Sequence, residues 1–247
     1  MTEENGRKPR KRKKRGRFAR ILGAALWLIA ILIALPFILT PIYAVLDPVS
    51  VPMLERHVTG KRVVRHWRPI EAISDRLKAA VVMSEDGQFC RHWGVDLGAL
   101  REEVENMLAG KEFRGASTIS MQVARNLFLS NWQSGFRKLL EIPLAFYLDL
   151  VLSKRRIMEI YLNIAEWGPD GEFGVAAGAQ AAFGIDADAL SWERAALLAV
   201  TLPNPLKRSP ARPTGGLRRI ARIVEGRAIE YGERAGCVAK SGKLALE

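Results

Sequence analysis

The sequence predicts a mainly α-helical protein that begins with one membrane-spanning helix. Residues 21–39 carry no charge. In the rest of the chain, apolar residues recur at helical spacing between capping residues and glycines, and the strict alternation that is typical of strands is scarce. The 247 residues leave room for one globular domain with appendages, but not for two large domains.

The N-terminus combines a basic block with the uncharged run. Residues 7–20 hold ten Lys or Arg and no acid, and they account for most of the formal charge of +12. A helix formed by residues 21–39 nearly spans a bilayer core of about 30 Å. Because the run is longer than the apolar region of a cleaved signal peptide, we expect an uncleaved signal anchor at 21–43. Since Lys and Arg are retained in the cytoplasm, residues 1–20 are expected there and the rest on the periplasmic face of the cytoplasmic (inner) membrane.

The basic block has a second interpretation as a nucleic-acid-binding arm, since clustered Lys and Arg neutralise phosphates. Its position next to the apolar run favours a role in topology and in contact with anionic lipid. No zinc-ligand spacing or recognition-helix pattern follows it. Membrane lipid is therefore the expected partner, and nucleic acid is not.

The exported part divides into three regions. Residues 44–66 are rich in Pro, Val and charge without sustained periodicity, which predicts an irregular stalk leading into the domain. Residues 67–213 carry the helical patterns of a globular domain, and residues 214–247 a further helix and a tail. Pro143 predicts that the long apolar pattern at 136–165 forms two helices that meet near Glu141.

A polar cluster follows the first predicted helix of the domain. Ser74 or Asp75 caps this helix and Gly87 ends it, so Glu85 is expected at its C-terminus, facing a loop. A carboxyl group at the end of a buried helix loses hydration and its pKa rises, which suits a general acid or base near neutral pH. The alternative is a solvated surface position, which this segment taken alone favours.

Two further polar groups occur at helical spacing. In the first, Ser117 or Thr118 caps a helix from which Gln122, Arg125 and Asn126 project toward one side. The second group consists of Arg137, Lys138 and Glu141. A more loosely spaced group follows it and consists of Tyr161, Asn163, Glu166 and Gly168.

Glu141 follows Arg137 by four residues and Lys138 by three. An exposed ion-pair stripe would be the ordinary explanation, but Glu141 is surrounded by apolar residues. Two carboxylates with nearby cations and amides suit glycosyl chemistry. The cations favour a charged leaving group such as a diphosphate over a neutral sugar.

The two cysteines, Cys90 and Cys237, fall in a region where the compartment permits disulfides. Their spacing resembles no metal site, and the sequence leaves open whether they pair. Cys90 lies near Arg91 and His92, but a buried, unreactive side chain is a better interpretation than a nucleophile.

Five motifs occur in order within residues 54–213. They are Glu85-Asp-x-x-Phe-x-x-His-x-Gly-x-Asp96, Gly115-Ala-Ser-Thr-Ile-Ser-Met-Gln122 followed by Arg125-Asn126, Arg137-Lys-x-x-Glu141, Lys154-x-x-Ile-Met-Glu-x-Tyr-Leu-Asn163, and Leu190-Ser191 through Pro203. With these motifs the region resembles the monofunctional biosynthetic peptidoglycan glycosyltransferases (transglycosylases), a family shared with the glycosyltransferase domains of class A penicillin-binding proteins. Three positions depart from the usual pattern: Met121 stands where Gln is frequent, Arg125 where Lys is frequent, and Ala182 where an aromatic is frequent.

The resemblance implies a lysozyme-like, mostly helical domain that polymerises lipid II, with lipid-linked glycan as donor and inversion at the reacting carbon. Glu85 would be the general base and Glu141 the second catalytic carboxylate. A divalent cation, magnesium or manganese, at the diphosphate would be compatible with it. The implied substrate-binding residues are Asp86, Phe89, His92, Ser117, Thr118, Gln122, Arg125, Asn126, Arg137, Lys138 and Asn163.

Two other functions stay open at this point. One is a membrane-bound lytic transglycosylase or lysozyme-like enzyme, although its chemistry would not explain the basic residues around Glu141. The other is a non-enzymatic scaffold of the division or elongation machinery. No Ser-x-x-Lys or Lys-Thr-Gly motif occurs, so cross-linking is expected to require separate transpeptidases.

Overall fold

The computed structural model describes residues 12–111, 115–130 and 135–246, without the side chains of residues 12–17, 135 and 136. It confirms the mainly α-helical class. By its internal contacts the chain divides into two units, Met1–Leu39 and Thr40–Glu247.

The first unit is formed by most of helix α1, which runs from Arg12 to Ile42. Its segment Phe18–Ile42 is long and apolar enough to cross a membrane. Large apolar side chains such as Trp27 and Ile33 are exposed along it, and lipid would cover them. Residues 1–11 of the expected cytoplasmic segment lie outside the described residues.

The segment expected as an irregular stalk, 44–66, contains regular structure. Ser50 caps helix α2 (Val51–Val58) by accepting a hydrogen bond from Met53 N, and the Met53 side chain is buried. Strand β1 (Val64–Arg65) pairs in parallel with β2 (Glu172–Phe173). Arg156 also donates to the carbonyl oxygens of Tyr43 and Leu46, at 2.8 and 2.7 Å. The sequence did not predict these regular parts of the segment, because the helix is too short to show a period.

Eight further helices form the body of the described domain. Helix α3 packs against α9, α10 and a C-terminal 3-10 helix, Gly232–Val238, while α5 packs against α6 and α7. Leu77, Val81 and Val82 of α3 are fully buried, so α3 delivers its C-terminal residue, Glu85, from the core. The helices are α3 (Asp75–Glu85), α4 (Leu97–Leu108), α5 (Ile119–Phe128), α6 (Gly135–Val151), α7 (Lys154–Ile164), α8 (Val175–Phe183), α9 (Trp192–Ala199) and α10 (Gly215–Tyr231).

Helix α6 differs from its prediction. It continues through Pro143 as one helix, whereas the sequence predicted two helices meeting near Glu141. The break falls instead after Leu152, where Ser153 caps α7 by accepting a hydrogen bond from Arg156 N at 3.2 Å. Packing of α6 against α5 overrides the helix-breaking tendency of proline.

A disulfide joins Cys90 to Cys237, which are 147 residues apart. It ties the loop that follows α3 to the C-terminal 3-10 helix. The pairing that the sequence left open is therefore present, and it fastens the loop next to Glu85 to the far end of the chain.

Removing this disulfide should lower the free energy of unfolding. In the chain-entropy account a loop of this length is worth roughly 5 kcal/mol, and measured losses are about 2–5 kcal/mol. Denaturant unfolding of the detergent-solubilised protein, with and without reductant, would measure the loss. The double variant Cys90→Ser/Cys237→Ser should have the same free energy of unfolding as the reduced protein, and reductant should not change it. Equal stability of oxidised and reduced protein would contradict this prediction.

Candidate active site

Glu85 is held by a chain of side chains that leads into the core. Its Oε2 accepts a hydrogen bond from Gln122 Nε2 at 3.0 Å, and Gln122 Oε1 accepts one from the Tyr161 hydroxyl at 3.1 Å. Burial raises the pKa of Glu85, and the Gln122 hydrogen bond together with the charges of Arg208 and Arg125 opposes that rise. The carboxylate is thus oriented and more basic than an ordinary glutamate, as a general base requires.

Asp86 positions the helix that carries Gln122. Its buried carboxylate lies 2.9 and 3.1 Å from His92 Nε2, and its Oδ2 accepts a hydrogen bond from the backbone N–H of Ile119 at 2.9 Å. That N–H is in the first turn of α5, where a negative charge is favourable. Asp86 and His92 therefore brace α5 against the end of α3.

Thr118 completes this brace. Its Oγ1 accepts a hydrogen bond from Met121 N at 3.2 Å as the cap of α5 and donates to the Gly94 carbonyl. Gly94 has a positive φ of 73°, and a Cβ there would lie 2.4 Å from the Ala145 carbonyl oxygen of α6. Only glycine lets the loop pass so close to α6.

Glu141 is buried between two cations of its own helix. Arg137 Nε lies 3.0 Å from Oε1 and Lys138 Nζ 3.7 Å from Oε2, and the carboxylate side chain is 1% exposed. Lys138 also donates to the Ser117 hydroxyl. Burial is the main cause that lowers the pKa of Lys138, and Glu141 opposes it. These residues thus form a buried ion cluster and not the exposed ion-pair stripe that spacing alone would suggest.

A cavity of about 370 Å³ lies next to Gln122, which binds Glu85, and Arg137, which pairs with Glu141. Gln122, Arg125, Asn126 and Arg137 line one part of it, and Tyr161 and the 202–206 segment line others. The Arg125 Nε is buried and makes no hydrogen bond to any residue that the structure describes. This groove therefore presents positive charge and an unused donor beside the residue that holds Glu85, which suits an anionic group.

Two predicted substrate-binding residues lie in the core instead. Phe89 is fully buried, with Lys154 Nζ 4.5 Å from its ring centroid. Asn163 is also fully buried and bonds only backbone: it accepts from Arg68 N and donates to the carbonyls of Arg68 and Glu159. Because neither residue reaches the groove, their positions indicate a structural role.

Three charged residues near the groove were missed from the sequence or left without a role. Arg56, in the expected stalk, donates through Nε and Nη2 to Glu166 Oε1 at 3.0 and 2.7 Å. Glu166 lines the groove, and burial raises its pKa. Arg208 acts on Glu85 through its charge. No sequence signal connects Arg56 or Arg208 with Glu85, because both come from segments distant in the chain.

The side chains around Glu141 do not fit a protein-held magnesium or manganese ion. Both carboxylate oxygens face cations, which would repel a metal. Within residues 12–111, 115–130 and 135–246, no group of three or more His, Cys, Asp or Glu side chains could hold one.

Comparison with known proteins gives consistent matches. The family described as Transglycosylase matches residues 53–228. A protein named biosynthetic peptidoglycan transglycosylase from Mesorhizobium japonicum is 53% identical over 212 residues, which cover 85% of this chain and 89% of that protein. Proteins of the same name from Agrobacterium fabrum and Nitrobacter hamburgensis are 53% and 47% identical; these matches cover 85% of this chain and 93% and 94% of theirs.

Replacing Asp86 should lower the free energy of unfolding more than replacing an ordinary helix cap does. Asp86→Ala removes charged hydrogen bonds to His92 and Ile119, which predicts a loss of about 1.5–3 kcal/mol in the free energy of unfolding. Asp96→Ala, which uncaps α4 by removing the bond from Ala99 N, is the control and should cost about 1 kcal/mol. Denaturant unfolding measures both, and equal losses would contradict the special position of Asp86.

Proposed function

This chain belongs to the transglycosylase family, and from that premise we propose that it is a membrane-anchored peptidoglycan glycosyltransferase. It polymerises lipid II into β-1,4-linked glycan strands and releases undecaprenyl diphosphate. The observation that carries this proposal is the position of Glu85. Its carboxylate has a raised pKa and is fixed by Gln122, which itself lines the cationic groove.

Glu85 serves as the general base. Its carboxylate takes the proton from the 4-hydroxyl of the acceptor GlcNAc while that oxygen attacks C1 of the donor MurNAc. The bond from C1 to the diphosphate oxygen breaks, and its electron pair leaves with the diphosphate. One displacement inverts an α-linked donor into a β-linked product. The raised pKa gives Glu85 enough basicity, and its hydrogen bonds keep the ionised form accessible near neutral pH.

The groove cations stabilise the departing diphosphate. Arg125 supplies an unused N–H, and Arg137 lines the same cavity. Lys138, joined to Ser117, extends the positive charge. Charge-assisted hydrogen bonds to phosphate are the strong ones, and donors fixed before the reaction need no reorganisation as charge develops.

Glu141 holds two of these cations in place. Its buried carboxylate holds Arg137 and Lys138 in one arrangement, and it limits the repulsion between these neighbouring cations. Glu141 is thus the second carboxylate of the site, and it acts by orienting Arg137 and Lys138. A lytic enzyme releases a neutral sugar and would not require this cluster, which favours the polymerase.

The N-terminus and the disulfide support the membrane arrangement that we propose. In it, residues 1–20 lie in the cytoplasm, as the basic block favours, helix α1 crosses the inner membrane, and the domain lies on the periplasmic face. The Cys90–Cys237 disulfide agrees with an oxidising compartment. Lipid II and lipid-linked glycan are both presented there, and transpeptidases and other division or elongation proteins would act on the product.

Glu85→Gln should abolish polymerisation while leaving the fold intact. Loss of the base predicts a fall of about 10²–10⁴-fold in the rate at which labelled lipid II enters long glycan. Glu105→Gln, which removes an exposed carboxylate from α4, is the matched control and should keep the rate. Retention of activity by Glu85→Gln would contradict its role as base. Cleavage of preformed glycan without any polymer would favour the lytic enzyme instead.

The pH dependence should report on the Gln122 hydrogen bond. Since the base must be ionised, kcat/KM falls as the pH drops through the pKa of Glu85, which burial has raised. Gln122→Met removes a donor that stabilises the carboxylate, so the pKa rises further and the acidic limb moves to higher pH. Gln88→Met, at an exposed position, should leave the limb in place. A limb that stays or moves to lower pH in Gln122→Met would contradict this account.

A further inference from the structure

A second cleft of about 380 Å³ lies beside the groove. The turn at residues 167–172 and the small residues of α8 form two of its walls, and the segment 205–212 forms another. Pro205 and Leu206 line both cavities. A ridge of two residues therefore separates the cleft from the groove.

The segment 205–212 gives this cleft an excess of cations. Lys207, Arg208 and Arg212 line it, and none of the three forms an ion pair with a residue that the structure describes. Two carboxylates, Asp170 and Glu172, lie on the opposite wall. Glu172 Oε2 is already bound by Asp170 N at 2.9 Å. Lys207 and Arg212 are therefore available to an incoming anion.

Small side chains keep the cleft open. Gly178, Ala181 and Ala182 of α8 line it, and Ala182 stands where the family resemblance predicts an aromatic. A Cβ at Gly178 would lie 2.7 Å from the Cβ of Trp167, so the wall formed by Trp167 needs glycine there. The space is thus a consequence of specific residues of this chain.

Arg208 connects the cleft with Glu85. Its Nη1 donates to the Val200 carbonyl at 2.6 Å, which fixes the guanidinium. Its charge opposes the rise that burial causes in the pKa of Glu85, so it lies within electrostatic range of that carboxylate. A sugar that reacts at Glu85 would therefore have the cleft next to it.

We propose that this cleft binds the carboxylate groups of the peptide that the sugar substrate carries. The inference rests on the proposed function, because the MurNAc of lipid II bears a short peptide with free carboxylates. With the sugar in the groove, the peptide passes over the ridge at Pro205–Leu206 and meets Lys207 and Arg212. The cleft would thus distinguish substrates whose peptide is charged from those whose peptide is neutral. The groove cations hold the diphosphate.

The test compares two substrates in the full-length protein: lipid II with its ordinary peptide, and lipid II whose peptide carboxylates are converted to neutral amides. The wild type should show a higher kcat/KM for the charged peptide, by about 2- to 30-fold, as two exposed charge pairs would give. Lys207→Gln/Arg212→Gln should lose this preference and use the amidated substrate at the wild-type rate. Ala182→Phe, which fills the cleft without changing charge, should lose it as well.

The matched control is Arg219→Gln/Arg222→Gln, which removes the same charge from exposed positions of α10 and should keep the preference. A preference that survives in Lys207→Gln/Arg212→Gln, or that disappears equally in the control, would overturn the inference. Equal use of both substrates by the wild type would overturn the inference but not the proposed function. No polymer from either substrate would instead overturn the proposed function.

Discussion

The arrangement of the site depends on one buried carboxylate, Asp86. It follows Glu85 directly and reaches across to the first N–H of helix α5. Because Gln122 and Arg125 belong to α5, this contact sets where the hydrogen-bond donor and the cation lie relative to the base. His92 contacts the Asp86 carboxylate from the loop side, and the Cys90–Cys237 disulfide fastens that same loop.

The two glutamates of the site are controlled in opposite ways. Glu85 is buried with partial compensation, so its affinity for protons rises. Glu141 is buried with two cations in contact, so that both of its carboxylate oxygens face positive charge. Their difference in environment separates the work of moving a proton from the work of holding a charged leaving group. Accordingly, Glu141 has two cations in direct contact and Glu85 has an amide.

The sequence predicted the features that depend on local pattern. The apolar run of α1, the C-terminal position of Glu85 and the spacing of Arg137 to Glu141 are all read within a few residues. Helix α2 was missed because it is short, and α6 was divided wrongly because packing against α5 outweighs Pro143. Phe89 belongs to a motif that contains both site and scaffold residues, and a motif alone does not separate them. The position of Arg208 near Glu85 depends on long-range packing.

The cations of α5 and α6 are proposed to hold a diphosphate beside Glu85. A solved structure with an unreactive donor analogue, in which a carbon replaces the oxygen between the sugar and the diphosphate, would show whether they do. We expect phosphate oxygens within hydrogen-bonding distance of Arg125 Nε and Lys138 Nζ, with the sugar C1 next to Glu85. A diphosphate bound at Lys207 and Arg212, with the groove left to sugar alone, would contradict it.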